Sequence, residues 1–364
     1  MARIMRAVLE DSSVLVNSYA GIQMKAAAAA VPSAANASES VRIQTLRGIA
    51  CVLLVSFHVV QGQGGSTLLP SAQSPYVTLT AIFAHLRMPL FTFLSGFVYA
   101  YRPVASNALG EFASRKLLRL LVPLLVVSTL FFVVQTITPG TNTKMAWEEM
   151  WRIYVFPYVH FWFLQAIILI FAFVAVLEQQ RLLESFDRFL IVFVLALVAH
   201  FSLQEGANFF SWKRAVNLAP FFLLGLAANR FRAQIQNAPT RYLSLAVFLL
   251  TTIPYVVLCV VEPADAPEKR TVWATAISLS ACLTLLHWVP HVRWLAWVGG
   301  FSFTIYLYHV FFTASTRIAL GHSGVPGIHE HFALGLLAGV AGPILIELAL
   351  RCSPMARRIL LGQS

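Results

Sequence analysis

Charged residues are scarce in this 364-residue chain: they make up 11% of it, whereas hydrophobic residues make up 58%. Soluble domains carry about 25% charged residues, and a soluble core of this length has no room for so much apolar side chain. The composition therefore excludes a soluble globular protein. Long apolar runs with few charges are typical of segments that cross a lipid bilayer, so the chain is predicted to be an integral membrane protein.

Cysteine and the common catalytic motifs are also missing or sparse. The four cysteines lie far apart and form no Cys-x-x-Cys pair, which argues against a disulfide framework and against a zinc site. The chain has no Gly-x-Ser-x-Gly turn, no phosphate-binding loop and no His-Glu-x-x-His helix. We therefore expect a site without a metal and without the serine-hydrolase nucleophile.

The first forty residues lack the unbroken apolar centre that a secretory signal requires, because Glu10 and Asp11 interrupt it. Residues 1–42 are predicted to be a flexible cytoplasmic tail, with Met24 as an alternative start. Residues 43–351 are predicted to form one transmembrane domain, and residues 352–364 a short cytoplasmic tail.

What the chain does have is a series of continuous apolar runs, which favour helices over the alternating strands of a barrel. The predicted fold is an all-α integral membrane bundle of about ten transmembrane helices. The spans are 43–62, 82–101, 117–136, 159–178, 188–204, 216–231, 242–261, 271–290, 294–316 and 333–351.

The distribution of Lys and Arg predicts the orientation of this bundle, because cytoplasmic loops retain positive charge. If the first span runs outwards, most basic residues fall on the cytoplasmic side, with both termini there. A multi-pass protein of the inner (plasma) membrane is expected. This asymmetry accounts for the net charge of +11 without a nucleic-acid partner.

The first span contains two ionisable residues, Arg47 and His58, which are costly in hydrocarbon unless they face a cavity or a partner. Eleven helical positions bring both side chains to nearly the same face, about 16 Å apart along the axis. They are therefore the first candidates for function.

Two groups of polar residues follow from the predicted orientation. Arginines at the cytoplasmic side suit a phosphate-rich ligand, although anchoring to anionic headgroups is an alternative. Histidines near the opposite side suit general base catalysis, although hydrogen-bonded packing is an alternative. The first group is Arg47, Arg102, Arg115, Lys116, Arg119, Glu347 and Arg351, with Glu347 as the candidate partner of Arg47. The second group is His58, His85, Arg87, His160 and His309.

Five segments in this order resemble the membrane-bound acyltransferase family 3. Arg47 and His58 are similar to its Arg-x10-His motif, and Phe301-x-Phe-x-Ile-Tyr-Leu-x-His309 is similar to its late Ser-x-Ser-x-Tyr-Leu-x-His stretch. The chain departs from the family at Arg87, which precedes Met-Pro where members often have histidine. The five segments are 46–58, 88–97, 115–123, 160–164 and 301–309.

The resemblance implies transfer of an acyl group, with acetyl expected, from cytoplasmic acyl-CoA (acetyl-CoA) to a hydroxyl of an extracytoplasmic carbohydrate or glycolipid. Exopolysaccharide and lipopolysaccharide are the natural acceptors, and polysaccharide biosynthesis proteins are possible partners. A glycan transporter or flippase without acyl chemistry is the alternative function, and an inactive subunit is a third.

Roles for individual residues follow from the chemistry. His58 is predicted to be the general base, or to carry a transient acyl group, and Arg87 to stabilise the oxyanion. Arg47, together with Arg102, Arg115 and Arg119, is expected to hold the CoA phosphates. The residues expected to contact the acceptor are His160, Trp162, Tyr306 and His309, with bundle packing as the alternative for the aromatic rings.

Overall fold

The computed structural model describes residues 34–61, 74–105, 108–139, 141, 144–203, 206–262, 270–323 and 327–363. The predicted tail up to residue 33 therefore lies outside the described residues. All regular structure within these ranges is helical, which confirms the predicted all-α class.

The described helices are numbered here in chain order. Short 3₁₀ turns at Trp147–Glu149 and Phe209–Ser211 and a π-helical turn at Leu117–Leu121 connect some of them. The helices are α1 Ala34–Gln61, α2 Pro75–Ile82, α3 Arg87–Tyr99, α4 Leu109–Lys116, α5 Val122–Ile137, α6 Arg152–Val155, α7 Trp162–Gln179, α8 Phe186–Ser202, α9 Trp212–Arg230, α10 Arg232–Ile235, α11 Ala238–Val261, α12 Val272–Trp288, α13 Arg293–Gly300, α14 Ser302–His322, α15 Ile328–Leu350 and α16 Pro354–Leu361.

Among the described residues, six helical segments are long and apolar enough to cross a bilayer, or seven if the bent pair α13 and α14 counts as one span. The predicted spans 188–204, 216–231 and 271–290 also fall on helices, α8, α9 and α12. Two of these, α8 and α12, have only 17 residues each. The chain is thus a helical integral membrane bundle, and ten crossings and their orientation stay predictions.

The outer surface of the bundle has the character of a lipid-facing wall. Large apolar side chains of α8 and α11 are widely exposed, with Ile191 at 63% and Leu250 at 75% of their full accessible area. Exposed apolar surface on this scale is unfavourable in water and favourable in hydrocarbon. Lipid is therefore the natural neighbour of these two helices.

Helix α1 occupies the middle of the bundle and packs against α3, α13, α14 and α15. Its closest neighbour is α13, because Gly48 and Gly299 let the two backbones touch. A Cβ atom on Gly48 would lie 2.1 Å from the carbonyl oxygen of Leu295, and one on Gly299 would lie 1.9 Å from that of Gln44. Small residues at such crossings are the usual means of close helix contact in membranes.

A second crossing of the same kind joins α3 and α9. A Cβ atom on Gly96 would lie 1.9 Å from the carbonyl oxygen of Phe222, and one on Gly225 would lie 1.9 Å from that of Phe93. Each helix thus contributes one glycine to the contact. Because α1 also packs against α3, the two close crossings belong to one packed group of four helices, α1, α3, α9 and α13.

Three segments differ from the sequence prediction. The predicted span 294–316 is not one straight helix, because α13 and α14 meet at an angle of 79° directly after the weak helix formers Gly299 and Gly300. Helix α1 already begins at Ala34, before the predicted span. Residues 354–361 of the predicted tail form α16, whose Leu361 is fully buried.

Candidate functional site

Three of the predicted histidines meet inside the bundle, and we call them the histidine cluster: His58 of α1, His160 before α7, and His309 of α14. The ring centres of His58 and His309 lie 4.9 Å apart, those of His160 and His309 5.1 Å, and those of His58 and His160 6.2 Å. These residues are far apart in sequence, so the fold itself assembles the group.

Backbone contacts fix the orientation of His309. Its Nδ1 lies 2.8 Å from the carbonyl oxygen of Ile305 and 2.9 Å from that of Tyr306. Because a carbonyl only accepts, Nδ1 carries the hydrogen, and in the neutral ring Nε2 is left with a lone pair. That Nε2 is buried and has no hydrogen-bond partner among the described residues.

Hydrogen bonds also fix His160, one through its ring and one through its backbone carbonyl. Its Nε2 donates to the carbonyl oxygen of Leu307 at 3.2 Å, and its own carbonyl oxygen accepts a hydrogen bond from the Tyr306 hydroxyl at 2.5 Å. The Tyr306 ring is buried against His160 and Phe163. Tyr306, predicted to contact the acceptor, therefore acts in this structure as a support for His160.

The residue before His160 has an unusual backbone. Val159 has a φ of 44°, in the left-handed region that β-branched residues avoid. Such strain persists only where the surroundings enforce it, and it occurs most often at functional sites. Here it turns the chain between Tyr158 and His160.

His58 differs from the other two histidines because it lines an open pocket of about 100 Å³. Helices α5 and α14 supply most of the wall, and this pocket defines what we call the histidine end of the bundle. The lining residues are His58, Phe131, Val134, Gln135, Thr138, Thr141, Val310, Phe311, Thr313, Ala314, Ser315, Arg317 and Ile318.

The two nitrogens of His58 have different surroundings. Nδ1 is buried and has no hydrogen-bond partner among the described residues. Nε2 is then the nitrogen available to a ligand in the pocket. A neutral His58 with a basic Nε2 carries its hydrogen on Nδ1. The lone pair of His309 Nε2 is an acceptor of the complementary kind in the neighbouring ring, and the two nitrogens make no hydrogen bond in this structure.

Arg87 lies next to the cluster rather than in it. Its guanidinium carbon stands 3.8 Å from the centre of the Phe57 ring, and that ring centre is 5.0 Å from the centre of His58. One guanidinium nitrogen donates to the carbonyl oxygen of Thr80 at 2.9 Å. His85 points elsewhere and packs against Tyr255 at 4.8 Å between ring centres, so the cluster does not include it.

Arg47 and Arg119 mark the opposite end, which we call the arginine end. They lie within electrostatic range of each other. Arg119 is in the π-helical turn, a feature often found at functional sites. Gly362, the residue that follows α16, has a φ of 60° and packs against the backbone of Arg119.

The other predicted basic residues lie at or near the surface, as Arg119 itself does. Arg115 pairs with Glu111 at 2.8 Å, and the side chain of Arg115 is 65% exposed. Arg102 is exposed in the turn after α3. Lys116 lies over the Phe171 ring, 3.8 Å from its centre. Arg47 is therefore the predicted arginine at this end that is partly buried, whereas Arg102, Arg115 and Arg119 are exposed.

Sequence reasoning missed several residues near the histidine end. Trp162 was predicted to contact the acceptor, but its partner Arg214, 4.4 Å from the ring centre, was not foreseen. Gln135 lines the pocket, and Gln165 is fully buried and bonds the backbone of the 153–156 turn. A polar amide within an apolar span was the available signal for both glutamines.

The described residues contain no group of His, Cys, Asp and Glu arranged to hold a metal ion, the histidine cluster included. The histidine cluster supplies bases and hydrogen-bond acceptors beside a mostly apolar pocket.

Comparison with known proteins identifies the family. No curated protein matches the chain. A family model described as an acyltransferase domain matches residues 41–348, which includes both the arginine end and the histidine cluster. The chain therefore belongs to acyltransferase family 3 and is a multi-pass membrane acyltransferase.

Proposed function

We propose that this acyltransferase moves an acetyl group from cytoplasmic acetyl-CoA to a carbohydrate hydroxyl on the other side of the membrane. The observation that carries the proposal is the position of His58. It faces the pocket at the histidine end, while Arg47, on the same helix and about 16 Å away, lies at the arginine end. One rigid helix thus connects a candidate donor site with a candidate acceptor site.

The arginine end suits the phosphates of CoA. Guanidinium groups bind phosphate through paired, charge-assisted hydrogen bonds, and Arg47 and Arg119 lie within electrostatic range of each other despite their like charge. A bound phosphate group would offset that repulsion. The pantetheine arm of CoA would then extend along α1 and bring the thioester to His58.

The histidine end suits attack by a hydroxyl on the thioester. His58 Nε2 takes the proton of the acceptor hydroxyl as its oxygen bonds to the acetyl carbonyl carbon. The tetrahedral intermediate then collapses, the carbon–sulfur bond breaks, and CoA leaves as a thiol after receiving the proton from His58. Arg87, which lies over the Phe57 ring beside His58, is the cation proposed to lower the energy of the transient oxyanion by its charge.

The experiment that tests the function uses the full chain in sealed vesicles. Acetyl-CoA with a ¹⁴C-labelled acetyl group is supplied on the arginine-end side only, and base-deacetylated surface polysaccharide on the other. We expect labelled ester on the polysaccharide together with free CoA. Movement of unlabelled glycan without release of CoA would support the transporter alternative instead.

The proposed donor site leads to a separate prediction for Arg119. Arg119→Ala should raise KM for acetyl-CoA about tenfold to 100-fold, because one charge-assisted contact to phosphate is worth roughly 1.5–3 kcal/mol. The maximal rate at saturating acetyl-CoA should change little. Steady-state release of CoA measures both parameters.

The control for Arg119→Ala is Arg188→Ala, which removes an arginine from the exposed start of α8. This control should leave KM unchanged. If Arg119→Ala also leaves KM unchanged, Arg119 does not bind the donor.

His309 makes another prediction as a positioning residue. His309→Ala should lower kcat by about tenfold to 100-fold. The variant removes His309 Nε2, the neighbouring acceptor proposed to orient the His58 ring through its buried Nδ1. KM for acetyl-CoA should stay the same. His309→Gln keeps an acceptor and should recover part of kcat, whereas a purely structural role predicts no such recovery.

A further inference from the structure

A second hollow lies beside the histidine pocket, in the segment between α5 and α7. It is an open hollow of about 280 Å³. Charged and aromatic side chains both contribute to its wall. Its lining residues are Met145, Glu149, Arg152, Ile153, Phe156, Pro157 and Tyr158.

The hollow carries one ion pair that is open to a ligand. Arg152 Nη1 lies 2.8 Å from Glu149 Oε1, and the two side chains are 49% and 43% exposed. The pair has no net charge, yet it offers N–H donors and carboxylate acceptors side by side. A neutral ligand with many hydroxyl groups fits this arrangement better than an anion or an apolar molecule does.

Aromatic rings stand next to the pair. The Phe156 ring lies between Trp151 and Phe209, with centres 6.0 Å and 5.2 Å away, and Arg152 stands 5.7 Å from it. Trp151 and Phe209 are 56% and 54% exposed. Apolar ring faces beside hydroxyl-binding groups complement a sugar, which has an apolar C–H face and a rim of hydroxyls.

The hollow is held in shape before any ligand arrives. The buried amide of Gln165 donates to the backbone oxygens of Ile153, Tyr154 and Phe156, and its own oxygen accepts from the Ser211 hydroxyl at 2.6 Å. A preformed site avoids the entropy cost of ordering a loop on binding. The charged pair contributes little to stability because it is exposed, so its variants should leave the fold intact.

A direct connection joins the hollow to the histidine pocket. The hydroxyl of Tyr158, in the hollow, donates to Gln135 Oε1 at 2.8 Å, and Gln135 lines the pocket. Tyr158 is also separated from His160 only by the strained Val159. A ligand in the hollow therefore lies against the wall of the site where His58 acts.

From these observations we infer that the hollow is a saccharide-binding subsite, which holds a sugar unit next to the one that is acylated. The inference rests on the proposed function and adds to it. The acceptor is an oligosaccharide or polysaccharide whose neighbouring sugar binds Glu149 and Arg152 and packs against Phe156. An acceptor of one sugar unit leaves this subsite empty.

The test measures binding without catalysis. The full chain carrying His58→Ala is placed in lipid nanodiscs and titrated with fluorophore-labelled fragments of base-deacetylated surface polysaccharide, four to six sugars long. Arg152→Ala, added to this background, should weaken binding about tenfold, as expected when a ligand loses a hydrogen bond to a charged group. Phe156→Ala should weaken binding by about the same factor, because the sugar loses the apolar ring face against which it packs. Glu149→Gln is the milder variant that keeps the shape of the side chain.

The control is Glu184→Gln, which removes a carboxylate from another exposed pair three residues apart, Arg181 and Glu184. It should leave binding unchanged. Equal affinity in the Arg152, Phe156 and Glu149 variants and the His58→Ala parent would overturn the subsite, and so would failure of that parent to bind the fragments.

Failure of the subsite and failure of the proposed function give different results. If fragments bind through the hollow but the chain with native His58 releases no CoA in their presence, the subsite stands and acetyl transfer is wrong. If CoA release and ester formation occur but do not depend on Arg152, acetyl transfer stands and the subsite is wrong.

Discussion

His58→Ala should reduce kcat for acetyl transfer by about 10²-fold to 10⁴-fold, the usual contribution of a general base. The loss follows from position, because His58 is the histidine of the cluster that lines the pocket. The measurement is the rate of ester formation and of CoA release by purified protein in vesicles, at saturating acetyl-CoA. The KM of the His58→Ala variant for acetyl-CoA should stay near that of the native chain, since the arginine end is unchanged.

The matched control is His85→Ala, which removes another buried histidine that lies outside the cluster and packs against Tyr255. This variant should keep kcat within a few-fold of the native value if it folds. His58→Gln keeps much of the side-chain volume and separates loss of the base from loss of packing. Native kcat in both His58 variants would remove His58 from the chemistry.

Gly96→Ala should destabilise the bundle by about 3 kcal/mol or more. The new methyl group would lie 1.9 Å from the carbonyl oxygen of Phe222, a backbone atom that cannot turn aside. Overpacking commonly costs about 1–3 kcal/mol, and a clash with backbone lies at or above the upper end of that range. Gly225→Ala repeats the clash from the other helix, against Phe93, and should have a similar effect.

The measurement for both glycines is thermal unfolding in detergent, followed by loss of the monodisperse species. Gly110→Ala serves as the control, because a Cβ atom at that helical position has no neighbour within 4 Å. Alanine favours a helix over glycine by about 1 kcal/mol, so this variant should be neutral or slightly more stable. Equal stability of Gly96→Ala and Gly110→Ala would mean that α3 and α9 do not touch as described.

The sequence predicted the parts of the site that a single helix or a polar residue in an apolar run can reveal. Arg47 and His58 share α1, and their separation needs only the helical repeat. His160 and His309 were selected as ionisable residues in apolar surroundings, and the structure brings both to His58. Each residue could be recognised from its apolar surroundings in the sequence. That the three side chains come together could not be predicted, because their proximity depends on how the helices pack.

Features that depend on tertiary contacts escaped prediction. The bend between α13 and α14 follows two glycines, whose effect on the backbone does not show in a mean hydropathy. Gly299 is needed there because its lack of a side chain allows contact with Gln44. The hollow around Arg152 comes from a polar turn that Gln165 shapes from another helix. Helix α16 is short, and its place depends on Leu361 being buried against the bundle.

The contact between α1 and α13 has a consequence for the length of the chain. Because Gly48 and Gly299 hold α1 by its backbone, the helix cannot slide or rotate to compensate for a change within it. Removing one residue between Arg47 and His58 would shift the histidine by about 1.5 Å and turn it by about 100°, away from the pocket wall. The separation of eleven positions between Arg47 and His58 is therefore fixed by the packing of α1, and Gly48 within it must stay free of a side chain.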